Sequence, residues 1–193
     1  MKPKLHIIIG STRPGRVGPS IAKWFHSFAI EHTTFDPVLV DLADFKLPIF
    51  DEPNHPAMQK YEHEHTRLWA ASVAAADAVV FVTPEYNFGP PPALVNALDY
   101  LVREWAYLPA GVVSYGGISG GLRSAQMLKQ TLTSLKMMPM VEAVVVPNFF
   151  QHIDEGGHFV PIDAHVQGAR DMLNELLRWT VALTTLRLSV KGR

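Results

Sequence analysis

The stretch Leu5-His6-Ile7-Ile8-Ile9-Gly10-Ser11-Thr12-Arg13-Pro14-Gly15-Arg16-Val17-Gly18-Pro19-Ser20 decides how the rest of the chain is read. Its first half is a short apolar run rich in β-branched residues. Its second half is a glycine-rich loop that opens a helix, with Gly18 as a cap and Pro19 at the first helical position. A run without polar alternation predicts a strand buried on both faces, the signature of a parallel sheet. Similar runs recur at 38–40, 78–82, 111–113 and 141–146. Segments of helical character separate them at 19–30, 57–76, 94–105 and 122–136, and a long final one covers 164–186. Along the first of these, Ile21, Trp24, Phe25 and Phe28 recur at helical spacing. Along the third, Leu94, Leu98, Leu101 and Trp105 share one face. Five β-α units predict an α/β fold, a flavodoxin-like three-layer sandwich with a five-stranded parallel sheet in the order 2-1-3-4-5. Residues 47–56 carry three prolines and read as a loop. Residues 148–161 read as short extended pieces around a turn at Glu155-Gly156-Gly157.

Composition narrows the function classes. The 193 residues hold 17 Lys and Arg against 18 Asp and Glu, a net charge of −1. The basic surplus of a nucleic-acid binder or of a polybasic membrane anchor is missing. There is no cysteine, which excludes disulfides, thiolate nucleophiles and Cys-ligated metals. Neither a signal-peptide core nor a membrane span is legible, so the expectation is one domain over 1–193, cytoplasmic, touching neither nucleic acid nor membrane.

In an open α/β sheet, ligands bind at the carboxyl ends of the strands beside the switch point. Three loops fall there. The first, 10–20, joins glycines, the hydroxyls of Ser11, Thr12 and Ser20, the forked donors Arg13 and Arg16, and a helix N-terminus, which together describe a phosphate site. Neither the P-loop nor the dinucleotide fingerprint fits its spacing. The second, 83–92, sets Pro84, Glu85, Tyr86, Asn87 and Phe88 in a proline-stiffened turn, a mix suited to a flat heteroaromatic ligand. The third, 114–121, is Ser114-Tyr115-Gly116-Gly117-Ile118-Ser119-Gly120-Gly121. Its glycines let backbone N–H groups approach a ligand closely.

The three motifs Gly10-Ser11-Thr12-Arg13, Pro84-Glu85-Tyr86-Asn87 and Ser114-Tyr115-Gly116-Gly117 stand in order at the right strand ends. In this the chain resembles the NADPH-dependent FMN reductase family, in its quinone and azo-dye reductase branch, over 4–187. The resemblance implies non-covalent FMN, with the phosphate on Ser11, Arg13, Arg16 and the Gly18–Ser20 helix start. It implies that the ring meets Pro84 to Phe88 on one side and Ser114 to Gly117 on another. It implies NADPH or NADH as co-substrate and a quinone, azo compound or free flavin as the small-molecule electron acceptor, reduced by a ping-pong mechanism. It also implies a homodimer or homotetramer, with 94–105 as the contact surface. The chain departs from many relatives at Arg16 and Gly18, where they carry serine and asparagine. Hydride transfer needs no protein acid or base, so no catalytic residue is assigned. The N–H groups of Gly116 and Gly117 are the expected stabilisers of charge on the reduced ring.

Two other readings compete. A non-catalytic FMN electron carrier or redox sensor would carry the same motifs. A serine hydrolase could use Ser119 in Gly117-Ile118-Ser119-Gly120-Gly121, although two glycines separate the strand from that serine. A metal at His63 and His65 is disfavoured, because residues two apart on a helix diverge. Asp51, Glu52 and His55 read as loop surface.

Overall fold

The computed structural model describes residues 2–191. The first half alternates strand and helix as β1 (Lys4–Ile9), α1 (Gly18–His32), β2 (Asp36–Asp41), the short α2 (Leu42–Phe45), α3 (Glu64–Ala75) and β3 (Ala78–Pro84). The second half continues with α4 (Pro92–Asp99), β4 (Pro109–Tyr115), α5 (Leu122–Ser134), β5 (Met138–Pro139), β6 (Val144–Val146) and α6 (Asp163–Lys191). The strands form one parallel sheet in the order β2-β1-β3-β4-β5, and β6 also pairs with β4. The expected flavodoxin-like order holds.

Every residue of β3 and β4 is buried, as the apolar runs required. The two faces of the sheet feed two cores. Leu5, Ile7, Ile9, Val80, Val82, Val113 and Tyr115 meet Ile21, Phe25 and Phe28 of α1 and Met172, Leu173 and Leu176 of α6. Ile8, Val79, Phe81, Ala110 and Val112 meet Trp69 of α3, Leu94 and Leu98 of α4, and Leu128 and Leu132 of α5.

Several boundaries differ from the sequence expectation. Helix α1 starts at Gly18, with Val17 as its N-cap, so Gly18 is the first helical residue. The fifth strand position is split. Met138–Pro139 pairs with the start of β4 and Val144–Val146 with its end. Between them Val141 is 86% exposed while Met140 is buried, so an edge bulge breaks the run. The segment expected to be helical over 57–76 is α-helical only from Glu64, after a single 3-10 turn at Pro56–Met58 that ends on a left-handed Gln59. The Glu52 carboxylate accepts the N–H groups of Glu62 (2.8 Å) and His63 (3.0 Å), and His63 is extended. Helix α4 ends at Asp99, and Leu101 and Trp105 are buried from the turns that follow. Residues 47–55 form a loop as expected, with Pro56 already opening a 3-10 turn; in 148–161 Ile153 bridges Phe159 around the 155–157 turn, but Phe149–His152 is a 3-10 helix and not an extended piece. No helix among the described residues is long and apolar enough to cross a membrane.

Candidate functional site

The loops after β1, β3 and β4 converge at the carboxyl edge of the sheet. The first leaves β1 with the N–H of Gly10 on the Val82 carbonyl (2.9 Å) and turns on a hydrogen bond from Arg16 N–H to the Arg13 carbonyl (3.2 Å). Gly15 takes φ +70°, open to a glycine at no steric cost. A Cβ on Gly18 would stand 2.8 Å from both the Ser11 hydroxyl and the Tyr115 hydroxyl. Those two hydroxyls bond to each other at 3.2 Å, fully inside the protein. Burial pushes the Tyr115 phenol up to about 12, against the opposing effect of the Ser11 hydrogen bond. Ser11, Gly18 and Tyr115 thus form a closed contact that seats the loop on β4.

The arginines divide. Arg16 is three-quarters covered or more, and its guanidinium engages Asp41 at the end of β2. Its Nε is buried without a partner among the described residues. Arg13 is exposed, and its guanidinium makes no hydrogen bond or ion pair with the described residues. The N–H groups of Ser11, Thr12 and Arg13 are likewise unpaired there. The Ser20 hydroxyl accepts the Phe159 N–H (2.8 Å), tying the 148–161 segment to α1.

The second loop is a tight turn in which Tyr86 and Gly89 exchange two backbone hydrogen bonds (2.9 and 3.0 Å). Asn87 and Phe88 both take positive φ, +49° and +71°. That backbone is ordinary for asparagine and strained for phenylalanine, so it persists only where surrounding contacts hold it. Phe88 is 62% exposed. Glu85 turns away from the crevice. Its carboxylate takes Arg123 Nε (2.7 Å) and Nη2 (2.6 Å), the Ser119 hydroxyl (2.8 Å) and the Arg123 N–H (3.2 Å). Burial would raise its pKa, but the Arg123 and Ser119 hydrogen bonds and the Arg123 charge hold it below the usual carboxylate range.

The third loop is built on close approaches. Cβ atoms on Gly116, Gly120 and Gly121 would fall within 3.0 Å of neighbouring backbone or side-chain atoms. A Cβ on Gly117 would meet open space. Gly116 N–H is committed to the Val146 carbonyl (3.2 Å), which removes it from the expected pair of ring donors. The N–H groups of Gly117 and Ile118 have no partner among the described residues. Ser114 and Tyr115, successive in β4, face opposite sides of the sheet, and both side chains are buried. The Ser114 hydroxyl is an orphan beneath Gly121.

The structure therefore sets Arg13, Tyr86, Asn87, Phe88 and Gly117 on neighbouring loops at the carboxyl edge of the sheet and buries Ser11 and Gly18 against Tyr115. It turns Arg16, Ser20, Glu85, Ser114 and Gly116 toward its supports. The Ser119 hydroxyl donates to Glu85, a carboxylate already engaged by Arg123, and no histidine among the described residues bonds to it, so the Ser-His pair of a serine hydrolase is not formed. Sequence reading missed Asp41 and Arg123, whose partners lie 25 and 38 residues away. It also misjudged His63, which precedes the helix as its N-cap. The His63 and His65 rings stack at 5.1 Å, with both Nε2 atoms toward Asp51 (3.9 and 3.1 Å). Glu52 is buried and caps backbone instead of facing solvent.

Fold and crevice together define a flavodoxin-like protein with an anion-ready loop at its switch point. The model of the NADPH-dependent FMN reductase family matches residues 3–151, and the chain belongs to that family. An NAD(P)H-dependent FMN reductase of Schizosaccharomyces pombe is 44% identical over 149 residues, 75% of this chain and 74% of that one. A quinone reductase of Escherichia coli is 29% identical over 174 residues, 81% of this chain and 89% of its own length. Among solved structures, the flavoenzyme NAD(P)H:(acceptor) oxidoreductase FerB of Paracoccus denitrificans superposes with a TM-score of 0.73. It does so at 18% identity over 93% of this chain and 98% of that one, a likeness of fold. Membership of this family makes the protein an oxidoreductase of the flavin-dependent, NAD(P)H-using kind.

Proposed function

We propose that the crevice holds FMN non-covalently and serves NAD(P)H and then a small electron acceptor, a quinone, an azo compound or free flavin, in turn. One observation carries this reading. Unpaired N–H groups at 11–13 and an exposed Arg13 guanidinium stand on the loop after β1, beside the loops after β3 and β4 that carry Tyr86, Phe88 and the unpaired Gly117 N–H. The first set fits a phosphate at the start of a helix. The second fits a flat ring with hydrogen-bonding edges. Bound FMN supplies the hydride chemistry.

The chain's own tasks are binding, orientation and charge. Arg13 and the 11–13 amides hold the phosphate. Ser11 and Gly18 fix that loop against Tyr115. The 84–89 turn walls one side of the ring, and the N–H groups of Gly117 and Ile118 stabilise negative charge at its polar edge. One ring face stays open, so donor and acceptor use the same place at different times. Initial rates with NADPH and a quinone should give parallel double-reciprocal lines. Intersecting lines would replace the alternating scheme with a ternary one, and absent NADPH oxidation would leave an electron carrier.

The oligomer reading changes face. Leu94, Leu98, Leu101 and Trp105 lie in the intramolecular core. The outward side of α4 borders an apolar groove lined by Ile49, Pro92, Val95 and Met127, and we assign the contact between copies to it. A Val95→Asp variant should shift the mass measured by light scattering to that of one chain.

A further inference from the structure

The geometry points to Arg123, in the first turn of α5, as a positioning residue that locks the 84–89 turn by gripping Glu85 and covering Phe88. The inference deepens the proposed reading and rests on it for the identity of the ligand. Three observations converge. The guanidinium donates its Nε–H to Glu85 Oε1 at 2.7 Å and brings Nη2 to 2.6 Å from the same oxygen, a two-nitrogen ion-pair contact that the single ammonium of lysine cannot make. The same guanidinium lies 4.0 Å from the centre of the Phe88 ring. Glu85 Oε2 takes the Ser119 hydroxyl and the Arg123 N–H, so one carboxylate ties the β3 loop to both the β4 loop and the start of α5.

The turn needs such a lock. It places a phenylalanine at φ +71° with its ring mostly in solvent. Little core packing holds it, and the backbone alone would relax. The Glu85 side chain is 7% exposed, whereas that of Arg123 is 47% exposed. The buried carboxylate is thus fixed by a partner that can be altered without opening the core. Arg123 touches neither reacting group in this scheme. It acts through Glu85 and Phe88 on the wall that the ring meets.

The test compares Arg123→Gln, Arg123→Lys, Glu85→Gln and the Arg123→Gln/Glu85→Gln double variant. Two readouts are taken: amide hydrogen exchange at Tyr86 and Gly89 in protein free of flavin, and FMN affinity by flavin fluorescence. The lock predicts that each single glutamine variant speeds exchange at those two amides and weakens FMN binding by about tenfold. The double variant should be no worse than the worse single one. Lysine should restore part of the effect, since it keeps the charge and loses the fork. Unchanged exchange in Arg123→Gln, or effects that add in the double variant, would overturn the lock. If the parent protein fails to bind FMN, the functional reading falls, while exchange in the flavin-free protein still judges the lock.

Discussion

Arg13 and Arg187 sit at opposite edges of one sheet and live opposite lives. Arg13 follows β1 at the carboxyl edge, is exposed, and its guanidinium has no partner among the described residues. Arg187 reaches from α6 to the amino edge and is 5% exposed. It donates to the carbonyls of Glu104 (2.7 Å), Ala106 (3.0 Å) and Val73 (3.4 Å). Burial brings its pKa down to about 10, against the pull of Asp77 and Glu104. Nearby, the buried Glu104 carboxylate takes Tyr61 Oη (2.9 and 3.0 Å) and Gln59 Nε2 (2.9 Å). At the amino edge most polar groups pair with one another, although the Arg187 Nε is buried without a partner among the described residues. At the carboxyl edge donors are left open over a loop that is itself firmly seated. A site, in this fold, is where the scaffold is finished and the donors are not.

That contrast predicts separable effects. The largest should come from Arg187→Ala, which removes the guanidinium donors from the Glu104 and Ala106 carbonyls, leaves Val73 only its Ala76 N–H, and should lower unfolding free energy by about 3 kcal/mol. Urea titration measures this, and FMN affinity of the folded fraction should be unchanged. A parallel loss of affinity would show that the two edges are coupled.

Arg13→Ala is the mirror case. It should weaken FMN binding by roughly ten- to a hundredfold while the urea midpoint stays put. Full retention of flavin would remove Arg13 from the phosphate site.

Gly18→Ala should strike both readouts, because its methyl would press on the Ser11 and Tyr115 hydroxyls at 2.8 Å. A stability loss of about 1–2 kcal/mol is expected, together with weaker FMN binding. Loss of stability alone would place Gly18 with the scaffold.

The smallest effect at neutral pH belongs to Tyr115→Phe, and it grows in alkali. Burial raises the folded phenol to about 12, against 10.0 for an exposed tyrosine. Between those limits the unfolded chain has released a proton that the native protein retains. Its contribution is therefore complete below pH 10 and is lost as pH rises toward 12, at about 1.4 kcal/mol per pH unit. Urea midpoints between pH 9 and 11.5 should fall less steeply in the variant. Equal slopes would assign the alkaline loss to other groups, such as Tyr61 and Tyr100, whose phenols burial also raises.

Much of this was legible before any coordinates. The β-branched runs named β1, β3 and β4 because both faces of a parallel sheet demand apolar residues. The glycine and proline of the first loop named a helix start. Motif spacing named the family. Less legible were the element ends. Helix α3 was read too long because propensity in 57–63 is overridden by Glu52, whose carboxylate captures two backbone donors from ten and eleven residues away. Strand 141–146 was read as continuous because a bulge at an edge leaves no compositional mark. On a continuous helix His63 and His65 would diverge, but α3 starts at Glu64, so His63 is an extended N-cap and its ring stacks on that of His65.

The sequence by itself determined which strands are central and which loops gather at the carboxyl edge of the sheet, since these follow from local pattern and chain order. Only the tertiary structure decided what each polar side chain does there. Arg16 goes to Asp41, Glu85 goes to Arg123, Ser20 goes to Phe159, and Arg13 alone among these is left for a ligand. The reason is physical: a donor's partner is chosen by distance in space, and those distances are set when segments far apart in the chain are packed against one sheet.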